Sequence, residues 1–514
     1  MLLNYFPKLK IKYHKIFFDK YTKKIIKKNK FYFRSLISNK EKGIVLIDLF
    51  DNSPWICFYS EIVYFLKKNY HLECKFFYFI LQRTFFSKFK IHTYRLRSIF
   101  KSFKVNEGIN ENREEHNIKF KDVKKIFNRI NTRKQLINFR YKGIKIGDLI
   151  YDTHLRLNFK PTINNLKDHK LLLTFSHAIN IYDICEKFFL KNKVKLIITS
   201  HPYYIQYGII TRYALHKKIP VVMIYSENNG TRKFRLHKID NISRNDEVNE
   251  YFNFQKNFKK IKNKTIARKI GKKIIEERLS GKTKLVYLKK SPYKSDINFQ
   301  NLYKKQNYAI LFCHDFYDAI HRFRHMIFDD FYKQLNFILN FSKKNKNIKW
   351  LIKPHPNQFE ANDRVFEDLK QKYKNVIFLD KKTNNKSLIK LKPKFIVTNH
   401  GTIAHEFAYY KIPVINTGDN SHISYNFCLH PKNKKQLLHI FQNINLYKKK
   451  INFDKKLIYE YAYMYYKLPA MRLEKHKLKL DDRYNDFEKF HFKKPFDFKL
   501  NKYLKSFFNE ISIR

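Results

Sequence analysis

Two short strings in this chain combine a cation, imidazoles, a glycine and a carboxylate: Lys353-Pro354-His355-Pro356 and Asn399-His400-Gly401-Thr402-Ile403-Ala404-His405-Glu406. Prolines on both sides of His355 restrict the backbone and hold its imidazole in place. An imidazole can donate a hydrogen bond to a phosphate oxygen, and Lys353 adds positive charge beside it. Such groups stabilise the negative charge that develops on a departing phosphate. In the second string Gly401 permits a tight turn and close ligand approach. Thr402 reads as a helix N-cap, with free backbone N–H groups that point at an anion. Glu406 lies four residues on, on the same helix face. There its carboxylate can accept hydrogen bonds from a ribose diol, or merely complement the helix dipole. As a pair the strings suit a nucleotide-linked substrate.

Other groups fall at comparable places. His314-Asp315 follow an apolar run, where a further ligand loop belongs. Asp318, His321 and His325 have spacings that fit one helix face, but two imidazoles and one carboxylate among lysines are the pattern of a solvated face, and no metal is expected. In the first half, Ser200-His201-Pro202 and Ser226-Glu227-Asn228-Asn229-Gly230 also follow apolar runs. Either Glu227 or His201 suits a general base that deprotonates an acceptor hydroxyl. No nucleophile elbow, Walker loop or dinucleotide-binding glycine motif is present, which argues against hydrolase, NTPase and NAD readings.

These loops need strands to hold them. Apolar runs predict strands at 43–48, 75–81, 194–199 and 219–224, with helices over 54–68, 123–139, 179–190 and 205–216. Residues 101–115 read as a polar loop, and 141–152, with Gly143 and Gly147, as a turn around an acceptor site. A second series predicts strands at 308–313, 349–352, 375–379, 395–398 and 412–416, with helices over 328–343, 402–410 and 434–444. Strands alternating with helices imply α/β architecture with parallel sheets covered on both faces. Ligands of such sheets bind at the carboxyl ends of the strands. The expected organisation is a basic N-terminal segment (1–40), a Rossmann-like acceptor domain (41–240), a charged helical linker (241–306), a Rossmann-like nucleotide domain (307–450) and a helical C-terminal tail (451–514), with the two domains facing a cleft.

Composition narrows the class. The 514 residues carry 107 Lys+Arg against 44 Asp+Glu, a formal charge of +63. Nucleic-acid binding is one reading of that charge. However, 50 Phe and 36 Tyr accompany the lysines while Gly stands at 10 and Pro at 13, the skew of an AT-rich genome. The lysines are also spread along the chain, so no nucleic-acid partner is expected. An anionic inner-membrane surface and anionic substrates remain suited partners. No apolar run reaches the ~18–20 residues that span a bilayer. The basic, aromatic N-terminus reads as a solvated helix. Five scattered cysteines without C-x-x-C spacing fit reduced thiols in a cytoplasm.

The second half resembles capsule and surface-polysaccharide glycosyltransferases of the GT-B type. The resemblance rests on Lys353–Pro356, on Thr398 through Glu406, and on Ala408-Tyr409-Tyr410-Lys411-Ile412-Pro413-Val414-Ile415. It covers about residues 300–430, and the first half only in organisation. In polysialyl- and Kdo-transferases with a His-Pro motif, that histidine contacts the phosphate of a CMP-sugar, a role that falls on His355. The resemblance implies a GT-B-like fold, a nucleotide-sugar co-substrate with no further cofactor, and a glycan or lipid-linked acceptor. The expected donor-binding residues are Lys353, Pro356, Thr398, His400, Gly401, Thr402 and Glu406. The expected catalytic groups are His355, Glu227, His314 and Asp315. Polysialyltransferases place their base in an acidic-acidic-Gly string, from which Glu227-Asn228-Asn229-Gly230 departs. Glycerophosphotransferases that use CDP-glycerol share a similar Lys-Pro-His-Pro string, and sugar-nucleotide epimerases share the fold type. Both stay open, as does a basic nucleic-acid or membrane-surface binding protein.

Overall fold

The computed structural model describes residues 18, 20–36, 41–50, 53–79, 91–110, 120–226, 234–239, 251–282, 291–294, 297, 306–323, 325–467 and 498–511. Two α/β units make up the described chain. The first is built on β1 (Ile44–Asp48), β2 (Glu73–Tyr78), β3 (Val105–Asn110), β6 (Val194–Thr199), β7 (Val221–Ser226) and β8 (Phe234–Ile239). A two-stranded hairpin, β4 (Arg140–Tyr141) and β5 (Ile144–Lys145), stands apart from this sheet. The sheet order is β3-β2-β1-β6-β7-β8, and only β8 runs antiparallel to its neighbour. The second unit holds β9 (Tyr308–Phe312), β10 (Lys349–Lys353), β11 (Ile377–Phe378), β12 (Phe395–Thr398) and β13 (Val414–Asn416). These lie in the order β11-β10-β9-β12-β13, all parallel.

Strand alternation explains the two-sided cores. In β1, Val45 and Ile47 pack on one face and Ile44 and Leu46 on the other. In β9, Ile310 faces one layer and Ala309 and Leu311 the opposite one. Side chains of period two on strands buried from both sides require helices on each face.

Several expectations change. Residues 105–110, expected as loop, form the edge strand β3. Pairing with β2 supplies the hydrogen bonds that its polar sequence did not advertise. The helix expected over 123–139 is two, Phe120–Asn128 and Arg133–Ile137, because Thr132 and Gln135 form a capping box that starts the second. Residues 141–152 are not an open turn: the hairpin turns at Gly143 (φ 83°) and the helix Gly147–Asn158 follows. The N-terminal helix Lys20–Phe33 is not simply solvated, since Ile25 and Phe33 enter the first unit's core. In the expected linker, Tyr251, Phe254, Phe258, Ile275 and Leu279 pack into the second unit's core. The C-terminal tail divides. Lys455–Ala462 packs on the second unit, whereas Phe498–Glu510 returns to the first. There Tyr503 accepts a hydrogen bond from the Leu236 N–H at 2.9 Å, and Phe508 stacks on Phe65.

The carboxyl ends of the two sheets face each other, giving the GT-B-like arrangement. Tyr204, after β6, donates toward Asp318, after β9, at 3.5 Å. Arg322 lies over the Tyr203 ring, 5.3 Å from its centroid. Tyr151 and Thr162 both donate to Asp330 Oδ2, at 2.6 and 2.7 Å. Asp152 pairs with His321 Nδ1 at 2.6 Å and also accepts its backbone N–H at 3.1 Å.

Candidate functional site

In the second sheet the chain order reverses between β9 and β12, and a crevice opens beyond that switch point. It is a pocket of about 340 Å³. Its lining comes from three strand ends: Phe312 through His314 at the end of β9, Lys353 through Pro356 at the end of β10, and Thr398 with His400 through Ile403 at the end of β12. Lys353 is the last residue of β10 rather than part of the loop beyond it.

Lys353 is buried, and its ammonium donates to the Lys381 carbonyl at 3.1 Å. Burial lowers its pKa to about 8, which leaves it mostly charged at neutral pH. His355 is neutral. Burial, then the nearby His314 and Lys353, lower its imidazole to about 3. Its Nδ1 accepts the Asn357 backbone N–H at 3.2 Å. In a neutral ring the proton then sits on Nε2, so His355 meets the pocket as a hydrogen-bond donor.

Three imidazoles share this wall. The His314 ring stacks on Phe331 at 4.4 Å and beside His355 at 5.7 Å. His400 packs on Phe323 at 4.0 Å. Burial lowers both of their pKa values. The Nδ1 atoms of His314 and His400 are buried without a hydrogen-bond partner among the described residues. Buried polar atoms of this kind cost stability unless a ligand or water meets them.

At the other end, Arg278 binds two residues of the second string, Thr402 and Glu406. Its Nε donates to Glu406, and its Nη2 to Thr402 Oγ1 at 2.6 Å. The Tyr293 hydroxyl donates to the other Glu406 oxygen at 2.5 Å. Thr402 makes no side-chain cap to the short helix Ile403–Ala408. The expected anion site at a helix N-terminus is thus replaced by an arginine–carboxylate network. Glu406 is held, and further acceptance from a ligand must use its remaining lone pairs. Gly401 is needed for space: a Cβ there would stand 2.8 Å from Thr398 Oγ1.

Lys353, Pro356, Thr398, His400, Gly401, Thr402, Glu406, His314 and His355 all line the one pocket. Asp315 does not. Its carboxylate accepts from Tyr317 N, Phe359 N and Asn362 Nδ2, at 2.9, 3.1 and 3.0 Å, and ties the loop to the start of the helix Glu360–Lys372. Of the two aspartates after β9, it is Asp318 that lines the pocket. Burial alone would raise its pKa, but Arg322 and His314 hold it at about 2. Asp318, His321 and His325 do not share a helix face, because 320–322 is a single 3₁₀ turn. His321 pairs with Asp152, while His325 lies 3.8 Å from Asp419. No group of three or more metal-binding side chains is found among the described residues. Glu227 lies outside the described residues. The spacing gave no sign of Arg278, Tyr293 or Arg322, which come from a segment read as linker and from one read as a helix face.

No family model matches the chain, and no curated protein matches it. Among solved structures, the UDP-GlcNAc 2-epimerase of Neisseria meningitidis bound to UDP-GlcNAc is similar at 11% identity. That match covers 84% of this chain and 99% of the other, with a TM-score of 0.24. A β-Kdo 2,4-transferase of Thermosulfurimonas dismutans matches at 10% identity over 52% of this chain and 79% of its own, with a TM-score of 0.34. A glycosyltransferase of Rickettsia africae matches at 11% over 88% and 100%, with a TM-score of 0.26. Scores this low leave the sheet order and facing strand ends to define the fold. No helix among the described residues is long and apolar enough to cross a membrane.

Proposed function

We propose that the chain is a glycosyltransferase that moves a sugar from a nucleotide-sugar donor, with a CMP-sugar favoured, to a surface-polysaccharide or lipid-linked glycan acceptor. The observation that carries this reading is the hydrogen bond that His355 Nδ1 accepts from the Asn357 backbone N–H. With Nδ1 engaged by its own turn, Nε2–H is left to donate beside the Lys353 ammonium. A neutral donor and a buried cation are suited to the charge that grows on a leaving phosphate. A histidine held near pKa 3 serves as a hydrogen-bond donor and not as a general acid.

Among the described residues the pocket sets Lys353, Arg278 and Arg322 beside Glu406 and Asp318, and the cations suit an anionic phosphate. Tyr251 and Tyr465, with ring centroids 6.0 Å apart, offer a wall for the nucleobase. Glu406 then takes the ribose diol. The acceptor enters from the side of the first sheet, and the basic surface suits an anionic membrane face.

The test is calorimetric binding of a CMP-sugar, a UDP-sugar and CDP-glycerol, followed by assay of released nucleotide. Tightest binding of the CMP-sugar, weakened in both His355→Ala and Glu406→Ala, is expected. Preference for CDP-glycerol would move the chain to glycerophosphate transfer, and conversion of UDP-GlcNAc to its 2-epimer would move it to epimerisation. Salt-sensitive RNA binding with no donor binding would overturn the enzyme reading.

A further inference from the structure

The first sheet has a switch point of its own, between β1 and β6, and a second set of reactive groups stands there. Asp48, the last residue of β1, is fully buried. Its carboxylate accepts from the Tyr59 hydroxyl, the Ser200 hydroxyl and the Ser200 backbone N–H, the last at 2.8 Å. Ser200 Oγ, whose hydrogen points at Asp48, accepts from His201 Nδ1 at 2.8 Å. This order fixes the neutral His201 tautomer with its proton on Nδ1. Nε2 then carries the lone pair and has no partner among the described residues.

The ring is braced by Phe50 at 5.1 Å and Tyr207 at 5.9 Å. The charged groups that act on it electrostatically are Arg322 and Asp318 from the second unit and Arg156 from the helix Gly147–Asn158. Arg322 and Asp318 also line the donor pocket, and they contact Tyr203 and Tyr204, which puts the loop that carries His201 at the cleft. Burial, then Arg322, hold the imidazole near pKa 4, so that it is unprotonated at neutral pH. Three residues on, Tyr204 has φ 58°. A left-handed conformation in a bulky residue stores strain of the sort found in functional loops.

We propose that His201 is the general base for transfer, and that Ser200 and Asp48 are positioning residues that fix its tautomer. The assignment rests on the glycosyl-transfer reading above. His201 Nε2 takes the proton of the acceptor hydroxyl as its oxygen bonds to the anomeric carbon. The bond from that carbon to the phosphate oxygen breaks, and its electron pair leaves with the nucleotide.

The experiment compares wild type with His201→Asn, which keeps a donor for Ser200 but has no basic nitrogen. A donor that binds wild type is presented with alkyl glycosides as hydroxyl acceptors or with azide, an anion with no proton to remove. Expected are unchanged donor affinity, a loss of about a hundred- to ten-thousand-fold with hydroxyl acceptors, and wild-type rates of glycosyl azide formation. Ser200→Thr, which keeps the hydroxyl, is expected to retain activity that Ser200→Ala loses. Equal rates for His201→Asn and wild type with hydroxyl acceptors, or an equal loss with azide, would overturn the assignment. Either result with intact donor binding leaves the glycosyl-transfer reading standing. Failure of wild type to bind any donor removes both.

Discussion

Arg278 and Glu406 form a buried ion pair across 128 residues of sequence, with the guanidinium also holding Thr402. The arginine comes from the helix Lys264–Leu279, and the carboxylate from the helix that follows β12. Removing one member of such a pair leaves the other charge uncompensated, at a cost of about 3–5 kcal/mol. Arg278→Ala is therefore expected to lower unfolding stability by that amount in urea titration. Adding Glu406→Gln should recover part of the loss. Additive effects of the two changes would mean that they do not interact.

His355→Ala is expected to weaken donor binding by about 1.5–3 kcal/mol, the range for a hydrogen bond to a charged group. His355→Gln, which keeps an N–H donor, should retain part of the affinity. Because burial and its neighbours keep the imidazole near pKa 3, donor affinity should not show a histidine titration between pH 5 and 7. Calorimetry across that range checks the point.

Lys353 behaves differently. Its pKa is lowered to about 8 by burial, so the ammonium loses its proton as pH rises through that value. Donor affinity should be full below about pH 7 and decline between 7 and 9 as the cation disappears. In Lys353→Met the affinity should be low throughout, with that decline absent. A decline that persists in the variant would assign the titration to another group.

Asp315 was a catalytic candidate by sequence, yet its three hydrogen bonds go to the protein's own loop and helix. Asp315→Ala is expected to lower stability by roughly 1–3 kcal/mol, the cost of leaving buried donors unsatisfied. Donor affinity at low temperature, where the variant is folded, should be close to that of wild type. A collapse of affinity with unchanged melting would return Asp315 to the catalytic set.

The two units are clasped at Asp330, which accepts from Tyr151 and Thr162 and also caps the helix Phe331–Lys344 through Lys333 N at 2.7 Å. Asp330→Ala removes a cap and strands two buried hydroxyls, with an expected loss of roughly 2–4 kcal/mol. Differential hydrogen exchange should localise the loosening to 147–162 and 325–340.

The fold was legible where burial imposes a pattern. β1, β6, β9 and β12 are apolar runs because both faces of each strand meet helices, and such runs are visible in sequence. β3 was not legible, because an edge strand written Val-Asn-Glu-Gly-Ile-Asn takes its order from pairing with β2 and not from its own polarity. The break at Thr132 was present in the sequence as a capping box inside a segment that otherwise reads as one helix.

By itself, the sequence determined two alternating α/β series and the strings at the ends of β10 and β12, since local backbone chemistry and hydrophobic periodicity act over a few residues. Only tertiary structure decided that Glu406 meets Arg278, that Asp318 and not Asp315 faces the pocket, and that Asp48, Ser200 and His201 converge. Those relations join residues up to 152 positions apart. They depend on which strands lie side by side and on how the two sheets face each other, neither of which is encoded in any short spacing.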